Sequence, residues 1–206
     1  MCANFRIEIT DPRMMEIMKA AMKAPNALDD DFSLLIKNKG EVFPTYAVPV
    51  QAGPETFRAM TWGFPRKGTT DVTYNARSEG ALDEKSMFQE SMLRRRCVVP
   101  AVGYYETWKK KGREVKYYFH LSGGGMLYLA GCWREERGAR LPVFTILTRD
   151  AVGDLGDIHN RMPVLIAPER VDEWLVDRIA PMKQPVLDLV FEPVYPEESL
   201  FSQVWQ

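Results

Sequence analysis

The chain has 206 residues, of which 46% are hydrophobic and 27% charged, and its formal net charge is −1. This composition is that of an ordinary globular protein and excludes a collagen-like or intrinsically disordered chain. No run approaches the roughly 18 consecutive apolar residues of a membrane-spanning helix. The first residues do not resemble a secretory signal, and three cysteines are too few for a disulfide framework and lack metal-ligand spacing. We therefore expect a reduced, cytoplasmic protein with no membrane association, metal or cofactor.

The charges are unevenly distributed along the chain. Segment 58–116 holds 13 basic and 7 acidic residues, a local charge of +6, whereas segment 150–206 has a local charge of −7. Aromatic residues are interleaved with the basic ones in segment 58–116, which includes the basic run 109–113. Cations beside aromatic rings suit single-stranded nucleic acid, because its phosphates are neutralised while its exposed bases stack. For run 109–113 taken alone, a solvated hairpin tip is the alternative interpretation.

Hydrophobic periodicity predicts an alternation of short helices and strands. Asp11 is a good N-cap and Pro12 suits the first helical position, so an amphipathic helix is predicted from there to Met22. The further predicted elements are an extended segment at 41–50, strands at 56–64, 97–108, 115–121, 126–133 and 141–148, and short helices at 83–93 and 168–176. The strands at 97–108 and 115–121 are expected to pair across the basic run.

The order of these elements predicts one α+β domain over residues 1–206. Its sheet is expected to be mixed but mostly antiparallel and barrel-like, with a few short helices at the periphery. No internal repeat, and no linker rich in Ser, Gly or Pro, divides the chain.

Cys2 is a candidate nucleophile, because removal of Met1 would leave a thiol and an α-amine on adjacent carbons. The ordinary pKa values of these groups are about 8, so a useful fraction of each is reactive at neutral pH. The amine would form an imine with an aldehyde, and the thiol, already held at the imine carbon, would close a thiazolidine ring. The alternative is that Cys2 is a small hydrophobic residue of an N-terminal strand.

Glu106 and His159 are candidate acid–base residues. His159 lies in a loop-like segment between Asp157 and Arg161, a setting that suits proton transfer near neutral pH. Glu106 lies among aromatic residues, where desolvation would raise the pKa of its carboxyl; an outward-facing strand position is the alternative. The other histidine, His120, lies in an apolar run and is expected to be structural.

Segment 75–79, with the sequence Asn-Ala-Arg-Ser-Glu, places polar side chains two residues apart. If the segment is a strand, Asn75, Arg77 and Glu79 face one side of the sheet. Such a polar face is unusual for a core and indicates a surface that contacts phosphate groups.

Several motifs occur together in an order that is typical of one family. They are Met1-Cys2, Trp62-Gly63, the segment 75–79, the run 97–108 ending Tyr105-Glu106-Thr107-Trp108, Thr148, and the segment 158–163 with the sequence Ile-His-Asn-Arg-Met-Pro. In these motifs and their spacing, the chain resembles the SOS-response-associated peptidase (SRAP) family over about residues 1–175.

The resemblance implies an autoproteolytic peptidase that removes Met1 and then forms a covalent thiazolidine with abasic sites in single-stranded DNA, shielding the lesion. By position, Cys2 would be the nucleophile, and Glu106 would transfer protons during Met1 removal and crosslink formation. His159 would assist ring opening of the deoxyribose, Schiff-base formation and crosslink reversal. The implied protein is a monomer with lyase-like chemistry and an SRAP-like fold, cytoplasmic but associated with the nucleoid when it is bound to damaged DNA.

The resemblance also implies which residues lie along the DNA. They are Asn75, Arg77 and Arg161, with Trp62, Arg66 and Lys67 as further contacts. Arg77 is the best phosphate contact among them, because a planar guanidinium matches phosphate geometry. Tyr46 and Thr148 align with positions that support the site.

The chain departs from the family pattern at three places. Asn4 stands where an arginine is usual, and Tyr46 stands where members commonly have an asparagine that hydrogen-bonds near the crosslink. After Trp62-Gly63, Phe64 takes the place of further tryptophans that wedge DNA in many members.

Two other functions stay open from the sequence. One is a cysteine peptidase that cleaves other proteins, with Cys2 as nucleophile, His159 as base and Glu106 as the orienting group. The other is a single-stranded-DNA-binding module without covalent chemistry, which the changes at Asn4 and Tyr46 permit; its binding would depend on salt.

Overall fold

A computed structural model describes residues 3–8, 12–23, 37, 39–176 and 187–195 of the chain. Cys2 and the predicted N-cap Asp11 lie outside the described residues. The strands are β1 Asn4–Glu8, β2 Lys39–Val42, β3 Ala47–Gly53, β4 Thr56–Trp62, β5 Phe64–Pro65, β6 Val72–Thr73, β7 Asn75–Arg77, β8 Arg96–Ala101, β9 Gly103–Lys110, β10 Arg113–Leu121, β11 Leu127–Arg134, β12 Val143–Asp150, β13 Arg161–Pro163, β14 Leu165–Ile166 and β15 Leu189–Val194.

The helices are short and lie between groups of strands. They are α1 Pro12–Lys23, α2 Gln89–Arg94, α3 Leu155–Ile158 and α4 Val171–Leu175, with a 3-10 turn at Pro168–Arg170. None of the helices in the described part of the chain combines the length and the apolar character needed to cross a bilayer.

Five strands close into a ring in the order β12, β4, β3, β8, β11 and back to β12. All of these pairings are antiparallel except the parallel pair β4–β12, and β7 also runs parallel to β12. A second sheet, with the order β15, β10, β9, β1, β2, is antiparallel throughout. The expected α+β class with a mixed, mostly antiparallel and barrel-like sheet is therefore confirmed.

The main core joins alternate residues of the ring strands to residues of the second sheet. Trp62 packs 5.0 Å from Phe5 and stacks at 6.3 Å on Phe144, measured between ring centroids, and all three rings are fully buried. A second apolar cluster packs Met92 and Trp174 against the other face of the ring strands. The main core fixes β1 and β9 relative to the ring, because Phe5, Ile7 and Tyr104 belong to it.

The structure confirms most of the predicted elements. Helix α1 buries Met14, Ile17, Met18 and Ala21 on one face, as its periodicity predicts, and β9 and β10 pair across the basic run. The helix predicted at 83–93 is wrong over its first half, because residues 83–88 form turns. There, the Ser86 hydroxyl accepts a hydrogen bond from the Phe88 amide (3.2 Å), a local bond that competes with helix formation.

The strand predicted at 97–108 is divided in two. β8 belongs to the ring and β9 to the second sheet, and the chain crosses between them at Val102, whose amide donates to the Arg6 carbonyl (2.8 Å). Gly103 is the first residue of β9. The position has no room for a side chain, because a Cβ there would lie 2.3 Å from the ring of Tyr118. The break therefore depends on a contact with a strand that follows later in the sequence.

Candidate active site

A cleft of about 450 Å³ opens where β1 and β9 lie side by side. Its lining residues come from β1, β9 and the end of α3: Ala3, Asn4, Tyr105, Glu106, Thr107, Lys109, Ile158, His159 and Asn160. The register of the two strands pairs Asn4 with Tyr105. The cleft therefore brings Glu106 and His159, both predicted as acid–base residues, to the segment that immediately follows Cys2 in the sequence.

Glu106 is buried, with only 5% of its surface exposed. Alternation along β9 points its side chain to the same side as the core residue Tyr104, which rules out the outward-facing alternative. Burial disfavours the charged carboxylate and raises the pKa of Glu106 to about 7. At neutral pH the group is therefore divided between its protonated and ionised forms, the condition that suits an acid–base residue.

His159 directly follows α3, and its amide donates to the Leu155 carbonyl (3.2 Å). Its Nδ1 atom lies 3.0 Å from the Arg161 amide nitrogen and 3.2 Å from the Arg161 carbonyl oxygen, so either tautomer of the neutral ring finds a backbone partner there. Burial lowers the pKa of His159, so the neutral ring is the form that predominates at neutral pH.

Glu106 and His159 face each other across the cleft. The Glu106 Oε2 atom lies 4.0 Å from His159 Nδ1, too far for a direct hydrogen bond. A partly protonated carboxyl and a neutral imidazole within this distance can supply and remove protons at one reacting group placed beside both of them.

Arg161 is held in a buried network rather than on an open surface. Its guanidinium donates to both carboxylate oxygens of Glu79 (2.8 and 2.9 Å), to Asp150 (2.6 Å) and to the Thr148 carbonyl (2.7 Å). The side chain is 8% exposed. A DNA phosphate would have to displace these partners, so the geometry does not favour the predicted phosphate contact of Arg161, which stays a prediction.

Thr148 lies in the same network, and β7 is aligned beside it. The Thr148 side chain is fully buried and lies 3.3 Å from Arg161 Nη2. In the β7–β12 register, Thr148 is opposite Arg77. Arg77 is exposed and Asn75 half-buried, whereas Ala76 between them is buried, so the expected polar face of this segment is present.

Trp62 is a core residue, which corrects the expectation that it contacts DNA. It has no exposed surface, and its indole Nε1 donates to the Tyr74 carbonyl (2.8 Å). The burial follows from its position at the end of β4, where Phe5 and Phe144 enclose the ring. The predicted contacts Arg66 and Lys67 lie instead on the exposed turn between β5 and β6.

The other cysteines in the described part of the chain do not resemble nucleophiles. Cys97 and Cys132 are fully buried. Burial raises the pKa of the Cys132 thiol to about 12 and also raises that of Cys97, so neither forms an appreciable amount of thiolate at neutral pH.

One wall of the cleft is fixed by polar contacts that no sequence pattern predicts. Asn4 Nδ2 donates to Glu41 (2.5 Å), and Lys116 Nζ donates to both carboxylate oxygens of Glu41 (2.6 and 2.7 Å). The Lys116 ammonium also lies 4.2 Å from the centroid of the Tyr105 ring. No sequence motif joins these residues, because they come from four strands of the second sheet.

The family model described as SOS response associated peptidase (SRAP) matches residues 1–204. The chain is 30% identical over 183 residues to the abasic site processing protein YMR114C of Saccharomyces cerevisiae, covering 82% of this chain but 49% of the yeast protein. It is 34% identical over 156 residues to the abasic site processing protein YoaM of Bacillus subtilis, covering 66% of this chain and 68% of YoaM.

The chain thus matches about half the length of the yeast relative. A crystal structure of a protein from Bordetella bronchiseptica superposes with a TM-score of 0.72 at 22% identity, covering 95% of this chain and 100% of that one, which shows a shared fold. With the family match extending over nearly every residue, this chain belongs to the SRAP family.

Proposed function

We propose that this protein processes abasic sites in single-stranded DNA by forming a covalent bond through Cys2 after removal of Met1. The observation that carries the proposal is the pairing of Glu106 and His159 in a cleft lined by Ala3, the residue next to Cys2. The SRAP relatives from yeast and Bacillus subtilis are named abasic site processing proteins, which supports this substrate class.

The first step is hydrolysis of the peptide bond between Met1 and Cys2. Water adds to the Met1 carbonyl, the C–N bond breaks, methionine leaves with its carboxylate, and Cys2 keeps the nitrogen as a free α-amine. Glu106, with a pKa of about 7, takes a proton from the water and returns one to the departing nitrogen.

The second step captures the aldehyde of the opened sugar. The amine adds to the aldehyde carbon, and loss of water gives an imine. The thiol then adds across the C=N bond, its sulfur to carbon and its proton to nitrogen, to close the thiazolidine. Glu106 supplies the proton that lets hydroxide leave as water, a role that needs the carboxylic acid form present near neutral pH.

His159 acts on the closed form of the sugar. Ring opening requires a proton at the ring oxygen and loss of a proton from the anomeric hydroxyl. The N–H group of the neutral His159 ring supplies the first. The anionic fraction of Glu106 accepts the second, so the two groups exchange roles as the reaction reverses.

Four exposed cations are proposed to position the DNA backbone. Arg77 lies on the polar face of β7, Arg66 and Lys67 lie on the β5–β6 turn, and Lys109 lines the cleft itself. Their side chains are mostly solvent-accessible, so they can neutralise phosphates at small desolvation cost.

The test mixes untagged protein with a single-stranded oligonucleotide carrying an abasic site and separates the products on a denaturing gel. A shifted band that resists heating is expected, together with loss of the Met1 mass from the free protein. Cys2→Ala should abolish the band. The same substitution at Cys132, whose thiol is buried, is the control and should retain the band.

Three outcomes would count against the proposal. Salt-dependent binding without a covalent band indicates a DNA-binding module, and turnover of added peptides without DNA indicates a peptidase acting on other proteins. Retention of Met1 in protein that still forms the band would exclude the α-amine as the reacting group.

A further inference from the structure

Two aromatic side chains lie on the surface at the turn between β2 and β3. Phe43 is 42% exposed and Tyr46 is 40% exposed, and their rings meet edge to face at 5.9 Å between centroids. Because the two rings are in contact, they form one small exposed apolar patch; we call the two rings the aromatic turn.

The aromatic turn is held rigidly against the core. The Tyr46 amide donates to the Phe43 carbonyl (3.1 Å), and the Thr45 amide donates to the carbonyl of the buried Trp62 (2.7 Å). The Tyr46 carbonyl in turn accepts from the Trp62 amide (3.0 Å). Thr45 adopts a φ of +77°, a conformation that these bonds must maintain. Little ordering is therefore needed when a ligand binds to the two rings.

The register of the second sheet places this turn beside the cleft. Phe5 on β1 pairs with Val42 on β2, so Phe43, one residue further along, lies level with Asn4. Neighbouring strands are about 5 Å apart, and Asn4 lines the cleft. A strand leaving the cleft along this edge consequently passes over the aromatic turn.

The charge around the aromatic turn is basic. The Lys37 ammonium lies 5.8 Å from the centroid of the Tyr46 ring, and Lys39 is exposed on β2. Glu41, the acidic residue nearest in sequence, is engaged by Lys116. Exposed aromatic rings beside lysines suit an anionic polymer with flat bases, and two rings alone offer too little area for a stable dimer interface.

We propose that Phe43 and Tyr46 form a stacking platform for an unpaired base of the DNA strand that flanks the lesion. This inference rests on the proposed function, since it assigns a position to the strand held in the cleft. Stacking uses the face of the base and is therefore tolerant of sequence, while Lys37 and Lys39 contact the adjoining phosphates. The platform assigns a binding role to Tyr46, where the sequence departs from the family pattern.

The test uses an oligonucleotide with a tetrahydrofuran abasic analogue, which lacks an aldehyde and reports binding without the covalent step. A fluorescent 2-aminopurine placed on either side of the analogue reports stacking through quenching. Tyr46→Ala and Phe43→Ala should each weaken binding by roughly 5- to 100-fold and relieve quenching on one side of the analogue. Tyr46→Phe keeps the ring and should bind as the wild type does, as should Tyr195→Ala, which removes a tyrosine that is 63% exposed elsewhere.

Salt separates stacking from a phosphate contact. The slope of log affinity against log salt concentration should stay unchanged in Tyr46→Ala, because no phosphate contact is lost. Unchanged affinity and quenching in both alanine variants would overturn the platform, as would a wild-type dimer in sedimentation that Tyr46→Ala converts to monomer. Failure of the proposed function is distinguishable, because it removes the covalent band with a true abasic site and leaves quenching with the analogue intact.

Discussion

The burial of Glu106 affects both its proposed role in proton transfer and the pH dependence of the free energy of unfolding. Its pKa is about 7 in the folded chain, against an ordinary value of 4.5, so between these pH values the folded state holds a proton that the unfolded state has released. Stability therefore falls as pH rises through this window. Glu106→Gln lacks this titration. Between pH 4.5 and 8, the free energy of unfolding of the wild type should therefore fall by roughly 2–3 kcal/mol relative to that of the variant.

Urea melts of both proteins at several pH values would measure the difference. A difference that stays constant with pH would mean that the pKa of Glu106 is the same in the folded and the unfolded protein. The covalent reaction should lose its inflection near pH 7 in the same variant.

Arg161 supports the site through the network beneath His159. Arg161→Gln should lower the free energy of unfolding by roughly 1–3 kcal/mol, because the hydrogen bonds to Glu79, Asp150 and the Thr148 carbonyl are lost or left without a charged donor. Arg137→Gln, on an exposed turn, is the control and should change stability little. Equal melts for the two variants would contradict the structural role of the network.

For single residues, the sequence predicted the environment of a side chain better than it predicted the groups that the side chain contacts. Glu106 could be identified because burial among aromatic residues has one electrostatic consequence, a raised carboxyl pKa. Arg161 could not, because an arginine suits a phosphate and a carboxylate equally well, and Glu79 is 82 residues away in the sequence. The burial of Trp62 could not be predicted for a similar reason. The ring that stacks on it, Phe144, belongs to a strand that is distant in the sequence.

Strand β11 lies between β8 and β12 in the ring. At Gly131 the three strands are packed so closely that there is no room for a side chain. A Cβ at Gly131 would lie 2.5 Å from the Thr145 carbonyl oxygen and 3.0 Å from the sulfur of Cys97. Since the first contact is with backbone, Gly131→Ala must separate β11 from β12, and we expect a loss of roughly 1–3 kcal/mol.

Thermal or urea melts would test this against Gly123→Ala, where an added Cβ meets no atom within 4 Å. If Gly131→Ala is as stable as Gly123→Ala, the ring is looser at β11 than the close approach to Thr145 indicates. Because both substitutions add one methyl group to a glycine, the comparison isolates the backbone contact.

The limits of periodicity are visible in the same strands. Alternation and turn residues predicted the positions of β9, β10, β11 and β12, because each is a local pattern. They did not predict the closing pair between β11 and β12 or the crossing at Val102, since both depend on contacts between separate strands. Strand positions are local properties of the sequence, and strand partners are properties of the folded chain.

For the whole molecule, the nearly balanced net charge of −1 hides a local concentration of cations at the β9–β10 tip. Lys109 pairs with Glu114 (3.1 Å) and lines the cleft, while Lys110, Lys111 and Arg113 are exposed. If single-stranded DNA binds in the cleft as proposed, these exposed cations can replace the counterions condensed on its phosphates.

Replacing Lys110, Lys111 and Arg113 together by glutamine should reduce the dependence of single-stranded DNA affinity on salt. If each contacts one phosphate, the slope of log affinity against log salt concentration falls by about 2, because each contact contributes about 0.7. Fluorescence anisotropy at several salt concentrations would measure it, with Lys19→Gln on the exposed face of α1 as the control. An unchanged slope would identify the tip as a solvated hairpin, whereas a smaller slope in the triple variant alone would extend the DNA path beyond the cleft.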